Sequence, residues 1–133
     1  MKKGEKKLLK LSEVKKILDA KVICCEELLD KIEVSNACGA DLLSDVLAFT
    51  KEHTLLLTGM TNLQVIRTVE ISDLNGVVFV RGKMPREEVV QAALERQIPV
   101  LMTGDTMYEA CGKLYLAGLP GCAKREKGEL LNA

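Results

Sequence analysis

Three short segments are apolar at every position: Leu55–Leu56–Leu57, Val77–Val78–Phe79–Val80 and Val100–Leu101–Met102. A strand with one wet face alternates, whereas an unbroken apolar run suits a strand covered on both faces, as in a parallel sheet. Each run is followed by a glycine-containing turn and then by helical periodicity. Thr61 and Asn62 precede Leu63, Ile66 and Val69, and Pro85, at home in a first helical turn, precedes Val89, Val90, Ala93 and Leu94. Asp105 or Thr106 precedes Met107, Ala110, Cys111 and Leu114, and Gly118 and Pro120 end that helix. The turn glycines Gly59, Gly82 and Gly104 stand 23 and 22 residues apart, a spacing of successive strand–helix units in one sheet.

Upstream the signals are shorter. Ser12 is a good N-cap, with Glu13 well placed in a first turn and Val14, Ile17 and Leu18 on one face behind it. Lys21 to Cys24 reads as a short strand, and Ile32 to Ala37 as a second. Asp41 suits the N-cap of a helix with Leu42, Val46 and Phe49 along one face and Leu43 and Leu47 beside them. The pattern predicts an α/β fold, a single domain over residues 12–119 with a mostly parallel β-sheet flanked by helices. Three core strands are extended by one or two N-terminal strands. Residues 1–11, with Lys2, Lys3, Lys6, Lys7 and Lys10 against Glu5, read as a basic flexible N-terminus, and residues 120–133 as a polar tail.

Composition narrows the function classes. A length of 133 residues is one domain's worth, and 47% hydrophobic with 29% charged residues excludes a disordered chain. Nineteen Lys and Arg balance 19 Asp and Glu, and Trp is absent, which argues against nucleic acid as a partner. A base-stacking platform would have only Phe49, Phe79, Tyr108 and Tyr115 to use. No apolar run approaches the ~20 residues of a membrane span, and none of signal-peptide length follows the basic start. A cytoplasmic protein is expected, and an odd count of five cysteines, with Cys24 and Cys25 adjacent, fits thiols kept reduced.

Ligands of open α/β sheets bind at the carboxyl ends of the strands, where helix N-termini gather. Three turns fall at that edge: Thr58–Gly59–Met60–Thr61–Asn62, Arg81–Gly82–Lys83–Met84–Pro85 and Thr103–Gly104–Asp105–Thr106. Glycine there permits positive φ or close backbone approach, and the unpaired helix N–H groups favour phosphate or carboxylate. Threonine and aspartate also cap turns and helices with no ligand involved. Cations at a helix start oppose its dipole, at a cost of roughly 0.3–1 kcal/mol, so Arg81 and Lys83 carry the functional signal. The expected ligand is a small anionic metabolite or nucleotide. Arg81 and Lys83 would neutralise it, Thr58, Thr61, Thr103 and Thr106 would orient it, Asp105 would accept from a hydroxyl, and Gly59, Asn62, Gly82 and Gly104 complete the site.

No catalytic motif accompanies these turns. A Walker A loop fails because five residues separate Gly76 from Gly82 and Met84 follows Lys83; no G-x-G-x-x-G occurs. His53 reads as a surface residue in a loop entering a strand, and Ser44 lies inside a helix with no nucleophile-elbow turn. Asp41 and Asp45 share a helix face, one as cap and one as solvated charge. No C-x-x-C is present, and Cys111 falls on an apolar stripe. Cys24, Cys25, Cys38 and Cys122 supply four thiolates on paper, the alternative in which an iron–sulfur cluster is bound, without a recognisable spacing. No cofactor, metal ligand or catalytic residue is therefore assigned.

The segments DLLSDVLAF (41–49), LLLTGMTNLQVIRTVEI (55–71), DLNGVVFVRGKMPREEVV (73–90) and IPVLMTGDTMYEACGKLYLAGL (98–119) together resemble a DRTGG domain, most of all its small stand-alone variety. The resemblance spans roughly residues 12 to 119 and is most specific in the DLLSDV helix and the final T-x-x-x-M-Y-E-A-C-G-x-L-Y stretch. Where the family's glycine pair would precede DLLSDV, this chain reads Val34–Ser35–Asn36–Ala37–Cys38–Gly39. The resemblance implies a fold like the N-terminal domain of HPr kinase, a part without the kinase active site. It also implies a regulatory or interaction module, homo-oligomeric and with a protein partner in anaerobic redox metabolism. The alternative it implies is an accessory protein of an iron–sulfur hydrogenase with no small-molecule site.

Overall fold

The computed structural model describes residues 8–49 and 52–121; residues 1–7, 50–51 and 122–133, and the side chain of Phe49, lie outside that description, and with them Cys122 and most of the expected basic arm and tail. In chain order, β1 (Leu9–Lys10) leads into α1 (Leu11–Leu18), followed by β2 (Lys21–Cys24), β3 (Glu33–Val34), β4 (Asn36–Gly39) and α2 (Leu43–Phe49). The second half holds β5 (Thr54–Thr58), α3 (Leu63–Ile71), β6 (Gly76–Phe79), α4 (Glu87–Glu95), β7 (Val100–Met102) and α5 (Met107–Leu116).

The five-stranded sheet has the order β2-β7-β6-β5-β4, parallel throughout except for β2, which pairs antiparallel with β7. The three solid apolar runs are its buried core strands, as their pattern predicts. Leu55, Leu57, Val78, Val80 and Leu101 pack with Val14, Leu18, Ala110 and Leu114 of α1 and α5. Their alternate neighbours Leu56, Val77, Phe79 and Val100 pack on the opposite face with Val46, Val65, Ile66, Val69, Val89 and Ala93 of α2, α3 and α4. Burying one such side chain contributes ~1.5–3 kcal/mol, so each run stabilises both helical layers at once. Because β4, β5, β6 and β7 are neighbours in chain order, their connecting helices share one face; α5 crosses to the other and packs on α1.

The N-terminal third differs from the expectation in four places. Packed structure is already present at Leu9, ahead of the expected Ser12: Leu9 and Leu11 are buried, and β1 pairs antiparallel with β3. Lys10 therefore takes the cap position of α1, its N–H donating to Glu13 Oε1 at 3.0 Å. The expected strand at Ile32 to Ala37 is broken at Ser35, whose N–H donates to the His53 carbonyl, so β3 serves the small sheet and β4 the large one. Leu42 and Leu47 are exposed, leaving Val46 as the fully buried residue among the described side chains of α2. At the far edge, Ala37 N–H donates to the Pro120 carbonyl and pairs with Gly121, so the first residues past Leu119 cover β4.

Candidate anion-binding cleft

A cleft of about 460 Å³ opens at the carboxyl end of the sheet between the starts of α3 and α4. Gly59, Met60, Thr61, Asn62 and Leu63 form one wall, and Lys83, Arg86, Glu88 and Val89 the other. Asn62 and Arg86 occupy the cap positions of α3 and α4 with extended backbone, and neither side chain closes the helix start. The leading N–H groups of both helices are thus uncapped by side chains, with the positive ends of two dipoles beside the opening. Among the described residues the ion pairs are Arg96–Glu70 and Lys113–Asp105; Arg81, Lys83 and Arg86 make none. An anion entering the cleft therefore meets two cations without an ion pair, with Glu88 as the carboxylate on the same wall.

Arg81 approaches from the side. Its backbone is left-handed, φ 62°, and the following Gly82 is too, φ 65°. A branched or bulky residue there is unfavourable, and strain of ~1–3 kcal/mol at such positions persists where the surroundings fix it. Here Arg81 N–H donates to the Asp105 carbonyl at 2.7 Å and Gly82 N–H to the Thr103 carbonyl at 2.8 Å. The Arg81 guanidinium lies over Gly59, where an ideal Cβ would stand 2.8 Å from Nη2. Gly59 is also held by Asp41, whose Oδ1 accepts from Gly59 N at 2.7 Å and from Thr58 Oγ1 at 3.2 Å. Asp41 is therefore not the cap of α2, which starts at Leu43; it reaches across to the β5 turn.

The three turns do not form one shared hollow. Of the eleven residues expected at the site, Gly59, Thr61, Asn62 and Lys83 line the cleft, while Arg81 adjoins it through Gly59 and Gly82 has open space where a Cβ would stand. The third turn is tied into structure. Thr103 is buried, its Oγ1 donating to the Leu18 carbonyl at 2.9 Å and accepting from Asp105 N. Thr106 caps α5, accepting from Glu109 N, and Asp105 pairs with Lys113 at 2.8 Å, which raises the lysine's pKa. Thr58, also buried, accepts from Met60 N in addition to its bond to Asp41. The reason is topological: the chain changes face after β7, and the crevice expected there is stitched shut by the Arg81 and Gly82 backbone bonds. Sequence reasoning missed Arg86 because it took Pro85 as a first helical residue. Pro85 stands one residue before the cap, which places Arg86 at the rim.

A second cleft, of about 470 Å³, lies at the amino end of the strands among Glu33, His53, Glu70, Asn75 and Arg96. Its polar groups are largely engaged with one another: Arg96 with Glu70, and Asn75 Nδ2 with the Glu33 carbonyl and, at 3.4 Å, with His53. The cysteines lie elsewhere. Cys24 and Cys25 are buried; Cys24 Sγ contacts the Ile98 carbonyl, and burial, then the neighbouring Cys25, pushes its pKa up to about 12. Burial also raises Cys25 and Cys111. Among the described residues no three His, Cys, Asp or Glu side chains gather as metal ligands.

Comparison with known proteins completes the picture. Among solved structures, the chain is similar to the CBS and DRTGG domains of the regulatory region of Clostridium perfringens pyrophosphatase, complexed with its activator diadenosine tetraphosphate. The TM-score is 0.63 at 17% identity, over 89% of this chain and 51% of that one, so this chain spans about half the length of its neighbour. A search of curated protein sequences gave no match. No described helix is long and apolar enough to cross a membrane. The sequence model of the DRTGG domain matches residues 13–116, nearly the whole of the described α/β unit, and the chain belongs to the DRTGG domain family.

Proposed function

We propose that this DRTGG domain is a non-catalytic regulatory module that senses a small anionic ligand, a nucleotide or other phosphorylated metabolite, in the cleft between α3 and α4. The observation that carries the reading is the convergence of Lys83 and Arg86, neither paired with a described acid, on two helix starts without side-chain caps. The first turn of α3 and the Thr61 hydroxyl would orient the anion, Lys83 and Arg86 would neutralise it, and Arg81 would reach it from above Gly59. The regulatory setting of the Clostridium perfringens neighbour, complexed with a nucleotide activator, supports a sensing role. The output would be modulation of a protein partner in cytoplasmic redox metabolism. Calorimetric titration with ATP tests this: heat that disappears in Lys83→Ala/Arg86→Ala is expected, and no heat at millimolar ATP would overturn it.

A second reading has its own observation. On α5, Tyr108, Tyr115 and Leu116 are 85%, 70% and 89% exposed along one stripe, an apolar surface that a homo-oligomer or a partner such as an iron–sulfur hydrogenase would cover. Under it, all small-molecule titrations stay flat while Tyr108→Ser/Leu116→Ser changes the sedimentation coefficient or abolishes capture of the hydrogenase.

A further inference from the structure

We propose that Asp41, which does not itself line the cleft, competes with the ligand for the Gly59 N–H in the cleft wall, and that ligand binding displaces it and loosens the segment behind it. The inference rests on the cleft reading above and adds how that site would be regulated. Gly59 N–H is the kind of backbone donor at a strand-end turn that oxyanions take, and it is already taken, by the Asp41 carboxylate at 2.7 Å. The Arg81 guanidinium lies against the same glycine, so a negative oxygen and a cation already meet at one point of backbone. A bound phosphate oxygen would take the place of the carboxylate oxygen beside the same cation. Asp41 and Arg81 nevertheless form no ion pair among the described residues, so the carboxylate is held by Gly59 N–H and Thr58 Oγ1 rather than by the cation.

What Asp41 holds in place is lightly built. The α2 helix has seven residues, too few to persist on local bonds alone. Val46 is buried against the α3 and α4 face, Leu43 is half-buried, and Leu42 and Leu47 remain 61% and 52% exposed. The Asp41 bonds tether this segment to the turn that forms the cleft wall, so the tether and the ligand compete for the same donor. A ligand anion at about 4 Å from the carboxylate is opposed by about 1 kcal/mol per unit charge at the dielectric of water, roughly a fivefold loss of affinity for each charge.

The test uses the full chain and inorganic tripolyphosphate as probe. Calorimetry compares the native protein, Asp41→Asn and Lys83→Ala/Arg86→Ala, and hydrogen exchange follows residues 41–48 with and without saturating probe. Asp41→Asn should bind at least about fivefold more tightly, because the competing charge is gone while the amide oxygen still reaches Gly59. In the native protein, exchange over 41–48 should accelerate on saturation; this arm needs no variant and holds if Asp41→Asn folds poorly. Binding that depends on Lys83 and Arg86 but is unchanged or weaker in Asp41→Asn, or that leaves 41–48 as slow as before, overturns the displacement and leaves the cleft standing. No binding to any of the three proteins overturns both.

Discussion

Two glycines face near-identical collisions and should respond in opposite ways. In Gly59→Ala the new Cβ would stand 2.8 Å from Arg81 Nη2 and 3.5 Å from Cζ and Nε. Relief needs a retreat of roughly 0.7 Å by the end of an exposed side chain without an ion pair to lose. Gly59 is not among the left-handed residues, so alanine adds no backbone strain and reduces unfolded-state entropy, a gain of ~0.4–1 kcal/mol. In Gly39→Ala the Cβ would stand 2.6 Å from Cys111 Sγ and 3.1 Å from Met107 Sδ, side chains packed against the core between α5 and β4. Overpacking there should cost ~1–3 kcal/mol. With a urea slope of ~1–3 kcal/mol/M for a domain of this size, the Gly39 variant unfolds at a midpoint lower by roughly 1 M. Gly59→Ala should hold or exceed the native midpoint while losing ATP affinity, because Arg81 is pushed away. Adding Cys111→Ala should restore most of the Gly39→Ala loss. A Gly59→Ala midpoint that falls as far as that of Gly39→Ala would refute the reasoning, since Arg81 would then be a fixed structural part instead of a side chain free to meet a ligand.

Other consequences follow from single residues. Thr103→Val removes the bond to the Leu18 carbonyl and should cost ~1–3 kcal/mol in urea unfolding with ATP affinity unchanged, because the third turn is structural. Gln97, left-handed at φ 56° just past α4, should give a protein more stable by ~1 kcal/mol as Gln97→Gly, read as a higher Tm in thermal unfolding. Cys24 holds its proton to about pH 12 in the folded chain but loses it nearer 9 when unfolded. Stability should therefore be full below pH 9 and decline from there towards 12, and Cys24→Ala should flatten that decline in a pH series of urea midpoints.

Much of the sheet was legible because its core strands advertise burial on both faces. Leu55–Leu57, Val77–Val80 and Val100–Met102 have no polar interruption, and the glycine turns after them locate the edge where the cleft lies. The small sheet was hidden because Leu8 and Leu9 sit between Lys7 and Lys10 and read as part of a solvated arm; only the pairing of Leu9 with Val34 reveals it. The role of Asp41 was illegible for a related reason. Its partners Thr58 and Gly59 are 17 and 18 residues away, and no local pattern distinguishes a helix cap from a long-range tether. The turn threonines illustrate the converse: Thr58, Thr103 and Thr106 looked like ligand donors, yet their hydroxyls satisfy neighbouring backbone and the Asp41 carboxylate. Of the two cations singled out in the sequence, Lys83 lines the cleft and Arg81 lies against Gly59 beside it, and the helix that follows starts only after Arg86.

The most direct measurement is an amide-resolved NMR titration of the full chain with ATP at low ionic strength. The account predicts saturable shifts at Gly59–Leu63, Lys83 and Arg86 that vanish in Lys83→Ala/Arg86→Ala. Shifts that are absent, or that gather along Tyr108–Leu116 or around His53 and Arg96 instead, would contradict it.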